Sequence, residues 1–325
     1  MEAAKTICNV GIDVSKDNLD VHLRPSGAAF RVGNDDEGWG ELQKRLTGLP
    51  VRLVVLEATG GYERGVFASL TGSGVPTMMV NPKRARDFAK SQGIEAKTDR
   101  LDAGVLAHFA SVLEAVPAAP PSPELEALKE LLVRRRQLIG MRTAESNRQA
   151  MSRQALVRKS IARHLESLAK ELKAIDAELD KRIGQTPGWK EKDKLLQSIT
   201  GIGRVVSRTL LAGLPELGTR TNAQMSSLAG LAPLARDSGK KRGVRFIQGG
   251  RGWVRSALYM GALAASRVPG PLKDFADRLK AAGKKAKVVL VAVARKLVEI
   301  ANAILTTGVP YRADYGRNRP NTQTA

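Results

Sequence analysis

Hydrophobic and polar positions follow two different rhythms along this chain. Through the first 115 residues, short apolar runs at 7–14, 19–24, 28–32, 51–56 and 77–80 read as β-strands. Segments at 38–46, 62–70 and 101–113 have the three-to-four spacing of amphipathic helices. From about 124 to 183 the pattern turns helical without interruption. Its second half carries a heptad-like seam of Ile161, Leu165, Leu168, Leu172, Ile175 and Leu179, which requires a partner helix. A helical hairpin and a dimerising coiled coil both satisfy that seam, and the preferred expectation is an oligomer. After Gly184-Gln-Thr-Pro-Gly188 a third, mostly helical region follows.

The order strand, strand, strand, helix, strand, helix, strand is that of a ribonuclease H-like sheet. The run Val51-Arg-Leu-Val-Val-Leu56 is nearly continuously apolar, as suits a central strand covered on both faces. The expected fold class is α/β plus mainly α, in five parts. Residues 1–116 form a ribonuclease H-like (RuvC-like) domain, 117–123 a stiff Pro-rich linker and 124–187 a coiled-coil segment. Residues 188–309 form a mostly helical C-terminal domain, and 310–325 a basic, disordered tail.

Charge sharpens this division. The 325 residues hold 53 Lys and Arg against 32 Asp and Glu, a net +21. Residues 1–120 are nearly neutral at −1, residues 121–190 carry +6 and residues 191–325 carry +16. Such a field attracts a polyanion, and a neutral domain beside a polycation indicates separate tasks. The single cysteine, Cys8, excludes a disulfide scaffold and fits a reducing compartment. The most apolar run, 288–294, is stopped by Arg295, far short of a spanning helix, and no signal peptide is evident. A cytoplasmic protein, nucleoid-associated when acting and without a membrane partner, is expected.

Within the neutral domain, carboxylates fall at strand ends. Asp13 closes the first strand, Glu57 closes the fourth, and Asp99 and Asp102 lie three apart at the opening of a helix. First and fourth strands are neighbours in a ribonuclease H-like sheet, so Asp13 and Glu57 would converge, with the helix bringing the other two acids across. Four carboxylates at one point repel unless a hard cation neutralises them, and Mg²⁺ with oxygen ligands both does so and clamps a scissile phosphate. Taken singly, Asp13 also suits a turn and Asp99 a helix N-cap. His22, His108 and His164 are scattered and read as structural or exposed.

The basic region offers candidates for holding a nucleic-acid backbone. Arg134, Arg135, Arg136, Arg142 and Arg148 crowd the long helical stretch, where only nine acids stand in residues 121–190. Gly201-Ile-Gly203-Arg204 between two short helices is a helix-hairpin-helix-like turn, whose amides suit a phosphate, although a plain helical corner uses glycines too. Ser238 sits beside Gly239 among Arg236, Lys240, Lys241, Arg242 and Arg245, with Arg251 and Arg255 following in a Gly-rich helix start. Dense positive charge there stabilises a phosphorane-like transition state. On chemistry alone, a phosphate contact is the commoner use of such a serine.

The motifs Gly11-Ile-Asp-Val-Ser-Lys16, Glu57-Ala-Thr-Gly-Gly-Tyr62, Asn81-Pro-Lys-Arg-Ala-Arg86, Lys97-Thr-Asp-Arg-Leu-Asp102, Thr200-Gly-Ile-Gly203 and Gly230-Leu-Ala-Pro233 appear in order. Together they resemble the IS110/IS1111 insertion-sequence transposases over residues 7–300, nearly the whole chain. The resemblance implies a RuvC-like DEDD domain, a coiled-coil linker and a C-terminal transposase domain with a nucleophilic serine. It implies a recombinase guided by a structured bridge RNA from its own element. Carried over by position, the four acids are Asp13, Glu57, Asp99 and Asp102, and the nucleophile is Ser238. The family often has Ser-Ser-Gly-Gly-Lys where this chain has Asp237-Ser-Gly-Lys-Lys.

On that resemblance Ser238 would form a phosphoserine link to DNA, and Mg²⁺ at the acids would activate the phosphate or stabilise the leaving or attacking 3′ oxygen. The partners implied are DNA at element ends and target, the guide RNA, and further copies of the chain as a dimer or tetramer. Pairing by RNA leaves the protein mainly backbone contacts, in keeping with 4% aromatic residues. The alternative is a RuvC-like metal-dependent nuclease of the junction-resolvase type, which hydrolyses without a covalent protein–DNA species. A kinase-like ATPase shares the Gly11-Ile-Asp-Val-Ser opening but lacks a second Gly-rich motif, and a nucleic-acid chaperone needs no ordered set of acids.

Overall fold

A computed structural model describes residues 6–58, 60–94, 99–114, 122–239 and 242–312, with only the backbone at 99–101. The chain divides into two compact units, Met1–Ser122 and Pro123–Ala325. Among the described residues there are one five-stranded sheet and twelve helices, so the protein is mixed α/β and mostly helical. No helix among them is long and apolar enough to cross a membrane.

The first unit is built on β1 (Cys8–Val14), β2 (Asn18–Arg24), β3 (Ala29–Gly33), β4 (Val51–Glu57) and β5 (Thr77–Val80), in the order β3-β2-β1-β4-β5. β1 pairs antiparallel with β2, and β2 with β3, whereas β1–β4 and β4–β5 are parallel. Alternation along the strands sorts side chains onto two faces. Val10, Ile12, Val14, Val54 and Leu56 pack against α1 (Asp36–Leu46) and α2 (Glu63–Gly72). Leu53 and Val55 pack on the opposite face, with Ala85 of α3 (Pro82–Ser91) and Leu106, Phe109 and Ala110 of α4 (Asp99–Val112).

Local chemistry starts these helices. The Asp35 carboxylate accepts the Gly38 amide at 2.8 Å, with Asp36 and Glu37 in the first turn of α1 and Lys44 and Arg45 in the last. Helix α3 is absent from the hydrophobic pattern, because Ala85 is its only fully buried residue. Asn81 capping the Lys83 amide and Pro82 at the first position are the signals that announce it.

In the second unit the long helical stretch breaks at Ser152–Gln154 into α5 (Pro123–Met151) and α6 (Ala155–Gln185). The two run antiparallel. Glu145 faces His164, Arg134 faces Glu171 and Arg135 faces Asp176, descending one helix while climbing the other. Leu168 and Leu172 pack with Leu138, and Leu179 and Ile183 join the cluster that holds Leu128 and Leu132. The partner that the seam of α6 requires is therefore α5 of the same chain, and the heptads no longer argue for an oligomer.

The remainder is α7 (Trp189–Gln197), α8 (Arg204–Gly213), α9 (Asn222–Leu228), α10 (Gly252–Ala265), α11 (Pro271–Ala281) and α12 (Ala286–Thr307). Helix α12 is the spine of this core, burying Val289, Val293, Leu297, Val298 and Ala301. Its buried Asn302 accepts the Gly218 amide and donates to the Arg220 carbonyl and the Asn222 side chain, each at 2.9 Å.

Candidate active site

Register places two acids side by side. Ile12 of β1 lies opposite Leu56 of parallel β4, so Asp13 and Glu57 follow as neighbours at the strands' C-terminal ends. By alternation both lie on the face covered by α4, with Gly11, Leu53 and Val55. What lets α4 in is Gly11. A Cβ there would stand 2.1 Å from the Ala103 carbonyl oxygen and 2.2 Å from the Ala107 nitrogen, so the helix backbone rests directly on the strand. Asp102, adjoining Ala103, is thereby delivered to the same sheet face as Asp13 and Glu57. Asp99 opens α4, and its side chain lies outside the described ones. Among the described residues no three His, Cys, Asp or Glu form a metal-holding group. Asp13, Glu57 and Asp102 offer only oxygen donors, the chemistry that suits Mg²⁺, and Gly11 lets α4 bring Asp102 to their sheet face, but the three described carboxylates are not gathered around one point.

The serine loop has its own architecture. Leu234 and Phe246 exchange two backbone hydrogen bonds of 2.8 and 3.3 Å, closing an antiparallel ribbon around exposed Ser238. Asp237 accepts both terminal nitrogens of Arg245, at 2.6 and 3.0 Å, and the Gly243 amide at 2.9 Å. The Arg236 guanidinium lies 4.3 Å over the Phe246 ring. At the base of the loop, Gly230 and Gly250 meet backbone to backbone, both at positive φ. The Arg255 guanidinium closes them by donating to the Gly249 carbonyl at 2.7 Å and the Gly230 carbonyl at 3.4 Å.

The Arg245 hydrogen bonds and then the Gly243 amide hold the Asp237 carboxyl below the usual aspartate range, and the same pair raises Arg245. A depressed carboxyl stabilises the ribbon at all pH above its ordinary value, and that contribution disappears as pH falls through the depressed value. The Asp237–Arg245 clasp should therefore hold from neutrality to about pH 4 and be lost only below it. An NMR titration of Asp237, with limited proteolysis of residues 236–246, checks this; a carboxyl midpoint at or above about 3.9 would refute it.

The remaining basic candidates divide by partner. Arg134, Arg135 and Arg148 are engaged by Glu171, Asp176 and Glu145, whereas Arg136 and Arg142 are exposed. Gly201, at φ +92°, abuts α10, where a Cβ would lie 2.4 Å from the Gly261 carbonyl oxygen. That glycine serves helix packing. Gly203 opens α8 into free space, and Arg204 beside it is 71% exposed, with Asp180 at 3.9 Å. Arg251 is held by Glu216 and the Gly213 carbonyl. Burial would raise Glu216, but the Arg251 bonds outweigh it and bring the carboxyl below its usual range. Arg242 is exposed, and Lys240 and Lys241 lie outside the described residues. The hydrophobic pattern missed an exposed cluster at the α11–α12 corner, Lys280, Lys284, Lys285 and Lys287, although the run Lys284-Lys285-Ala-Lys287 marks it.

Comparison with known proteins bears on both units. A family model described as a transposase, of the DEDD IS110 type, matches residues 10–156. A second, described as the transposase IS116/IS110/IS902 family, matches residues 193–277. The chain is 29% identical over 322 residues to the pilin gene-inverting protein of Moraxella bovis, covering 93% of this chain and 97% of that protein. The pilin gene-inverting protein of Moraxella lacunata matches to the same extent. The transposase for insertion sequence element IS1111A of Coxiella burnetii is 26% identical over 360 residues, covering 95% of this chain and 92% of that protein.

Proposed function

Since this chain belongs to the IS110 family of insertion-sequence transposases and is a DNA transposase, we propose that it cuts and rejoins DNA through a phosphoserine at Ser238, with Mg²⁺ at a RuvC-like acid set and a structured RNA as guide. The observation that carries this reading is the pairing of Asp13 and Glu57 at adjacent parallel strand ends, with α4 seated on Gly11. The β3-β2-β1-β4-β5 order, three strands antiparallel and two joined in parallel, supports the RuvC-like reading.

Ser238 Oγ forms a bond to phosphorus as the bond to the 3′ oxygen breaks. The hydroxyl proton passes to solvent, and the 3′ oxygen leaves with the electron pair and takes up a proton as a free 3′ hydroxyl. Reversal with another 3′ oxygen rejoins the strand, because the ester retains the phosphodiester's energy. The exposed ribbon, steadied by Asp237–Arg245 below and Arg255 at its base, presents that hydroxyl. Arg236, Arg242 and the lysines at 240 and 241 supply charge for the phosphorane-like transition state. Asp13, Glu57, Asp99 and Asp102 would hold the metal, which supplies Lewis-acid neutralisation of phosphate charge. Inversion, the activity named for the Moraxella relatives, requires that cut ends be rejoined, and this favours strand exchange over simple hydrolysis. Exposed Arg136, Arg142 and Arg204 then hold nucleic-acid backbone without reading sequence.

Asp13→Asn and Asp102→Asn are each expected to lower Mg²⁺-dependent strand exchange by about 10³-fold or more; full activity in either, measured on a paired donor and target, would remove the acids from the mechanism. Protein purified from cells carrying the whole element should retain one discrete structured RNA. Sequencing that returns only a random cellular mixture would count against guiding.

A further inference from the structure

A fifth carboxylate stands on the same sheet face. Asp20 of β2 is the direct cross-strand partner of Asp13, so it too lies toward α4. Backbones of paired strands are only about 5 Å apart, which puts Asp20 one strand away from the acid set. Arg31 of β3 is in turn the cross-strand partner of Asp20. Its Nε and terminal nitrogen donate to the two carboxylate oxygens at 2.9 and 2.8 Å, a fork that fixes the carboxylate's plane. The pair lines an open cleft of about 260 Å³ with His22, Ala29 and Ala103, and the fork sets the direction of the Asp20 carboxylate there.

We infer that Arg31 is a positioning residue that draws Asp20 away from Asp13 and keeps a fifth carboxylate out of the metal-binding set. This rests on the metal reading of Asp13, Glu57, Asp99 and Asp102 given above. Ligand number and charge set both the affinity and the selectivity of an oxygen site. An added carboxylate tightens binding and favours cations that accept more oxygens than Mg²⁺. A guanidinium fork restrains the direction of Asp20, whereas a lysine at the same place keeps the charge but loses the restraint.

The test is calorimetric titration of the purified full-length protein with Mn²⁺ and with Ca²⁺, in the absence of DNA, with circular dichroism to establish folding. Arg31→Gln is expected to tighten Mn²⁺ by about tenfold, as an added charged ligand does, and to improve Ca²⁺ binding relative to Mn²⁺. Arg31→Lys should tighten it in the same direction, which loss of charge alone does not produce. Adding Asp20→Asn to either variant should restore the parent affinity. Unchanged Mn²⁺ affinity in folded Arg31→Gln and Arg31→Lys overturns the inference, as does tightening that survives Asp20→Asn. If the parent protein fails to bind Mn²⁺, or binds it equally well as Asp13→Asn, the metal reading itself fails and the inference with it.

Discussion

Gly11→Ala is expected to unfold the first unit at temperatures where the parent is intact. The new methyl would meet the Ala103 carbonyl oxygen at 2.1 Å, the Ala107 nitrogen at 2.2 Å and the Leu106 carbonyl carbon at 2.8 Å. These are backbone atoms of a helix, so no rotamer change relieves the contact, and α4 must lift off β1. Overpacking of this kind costs about 3 kcal/mol, which lowers the melting temperature of a unit this size by roughly 10 °C. Strand exchange should fall further than stability, because a lifted α4 carries Asp102 away from Asp13 and Glu57. Gly40 is the control. It lies within α1 with nothing inside 4 Å of a built Cβ, so Gly40→Ala should stabilise by up to about 1 kcal/mol. Calorimetric melting of both variants checks the pair, and a Gly11→Ala protein that melts with the parent would mean that α4 is not seated as described.

The second large effect belongs to Ser238→Ala. Without the hydroxyl no phosphoserine forms, and strand exchange should drop by at least about 10⁴-fold. DNA binding should be unaffected, because the ribbon is held by Asp237, Arg245 and the Leu234–Phe246 pairing rather than by Ser238. The measurement is a denaturing gel of protein incubated with labelled DNA. The parent yields a slow covalent species and the variant none. A covalent species that persists in Ser238→Ala places the nucleophile elsewhere, and cleavage without any such species in the parent favours the hydrolytic alternative.

The five strands lie where the apolar runs place them, because each run is long enough to bury one or both faces of a sheet. Helix α3 escaped notice for the complementary reason: it buries almost nothing, and its cap and proline are the only local marks. The α6 seam was legible as a seam but not as half of a hairpin. A heptad states that an apolar stripe needs covering, and is silent about which helix covers it. The arginines show the same limit more sharply. Arg251 and Arg255 read as backbone-binding charge within a basic region, yet one is engaged by Glu216 and the other clasps Gly230 to Gly249.

The candidate site divides along the same line. Local pattern alone marked Asp13 and Glu57 as strand-end acids, and spacing marked Asp99 and Asp102 as one helix face. Both are short-range properties, written within a few residues. The pairing of Asp13 with Glu57 on one side and Asp20 on the other follows from strand register, which is a relation between segments distant in sequence. Gly11 reads in sequence as one more small residue before an acid. Only the helix lying across it, more than ninety residues later in the chain, makes its missing side chain a requirement. Composition and periodicity are summed over neighbours along the chain, whereas close approach is decided by excluded volume between elements that the chain brings together late.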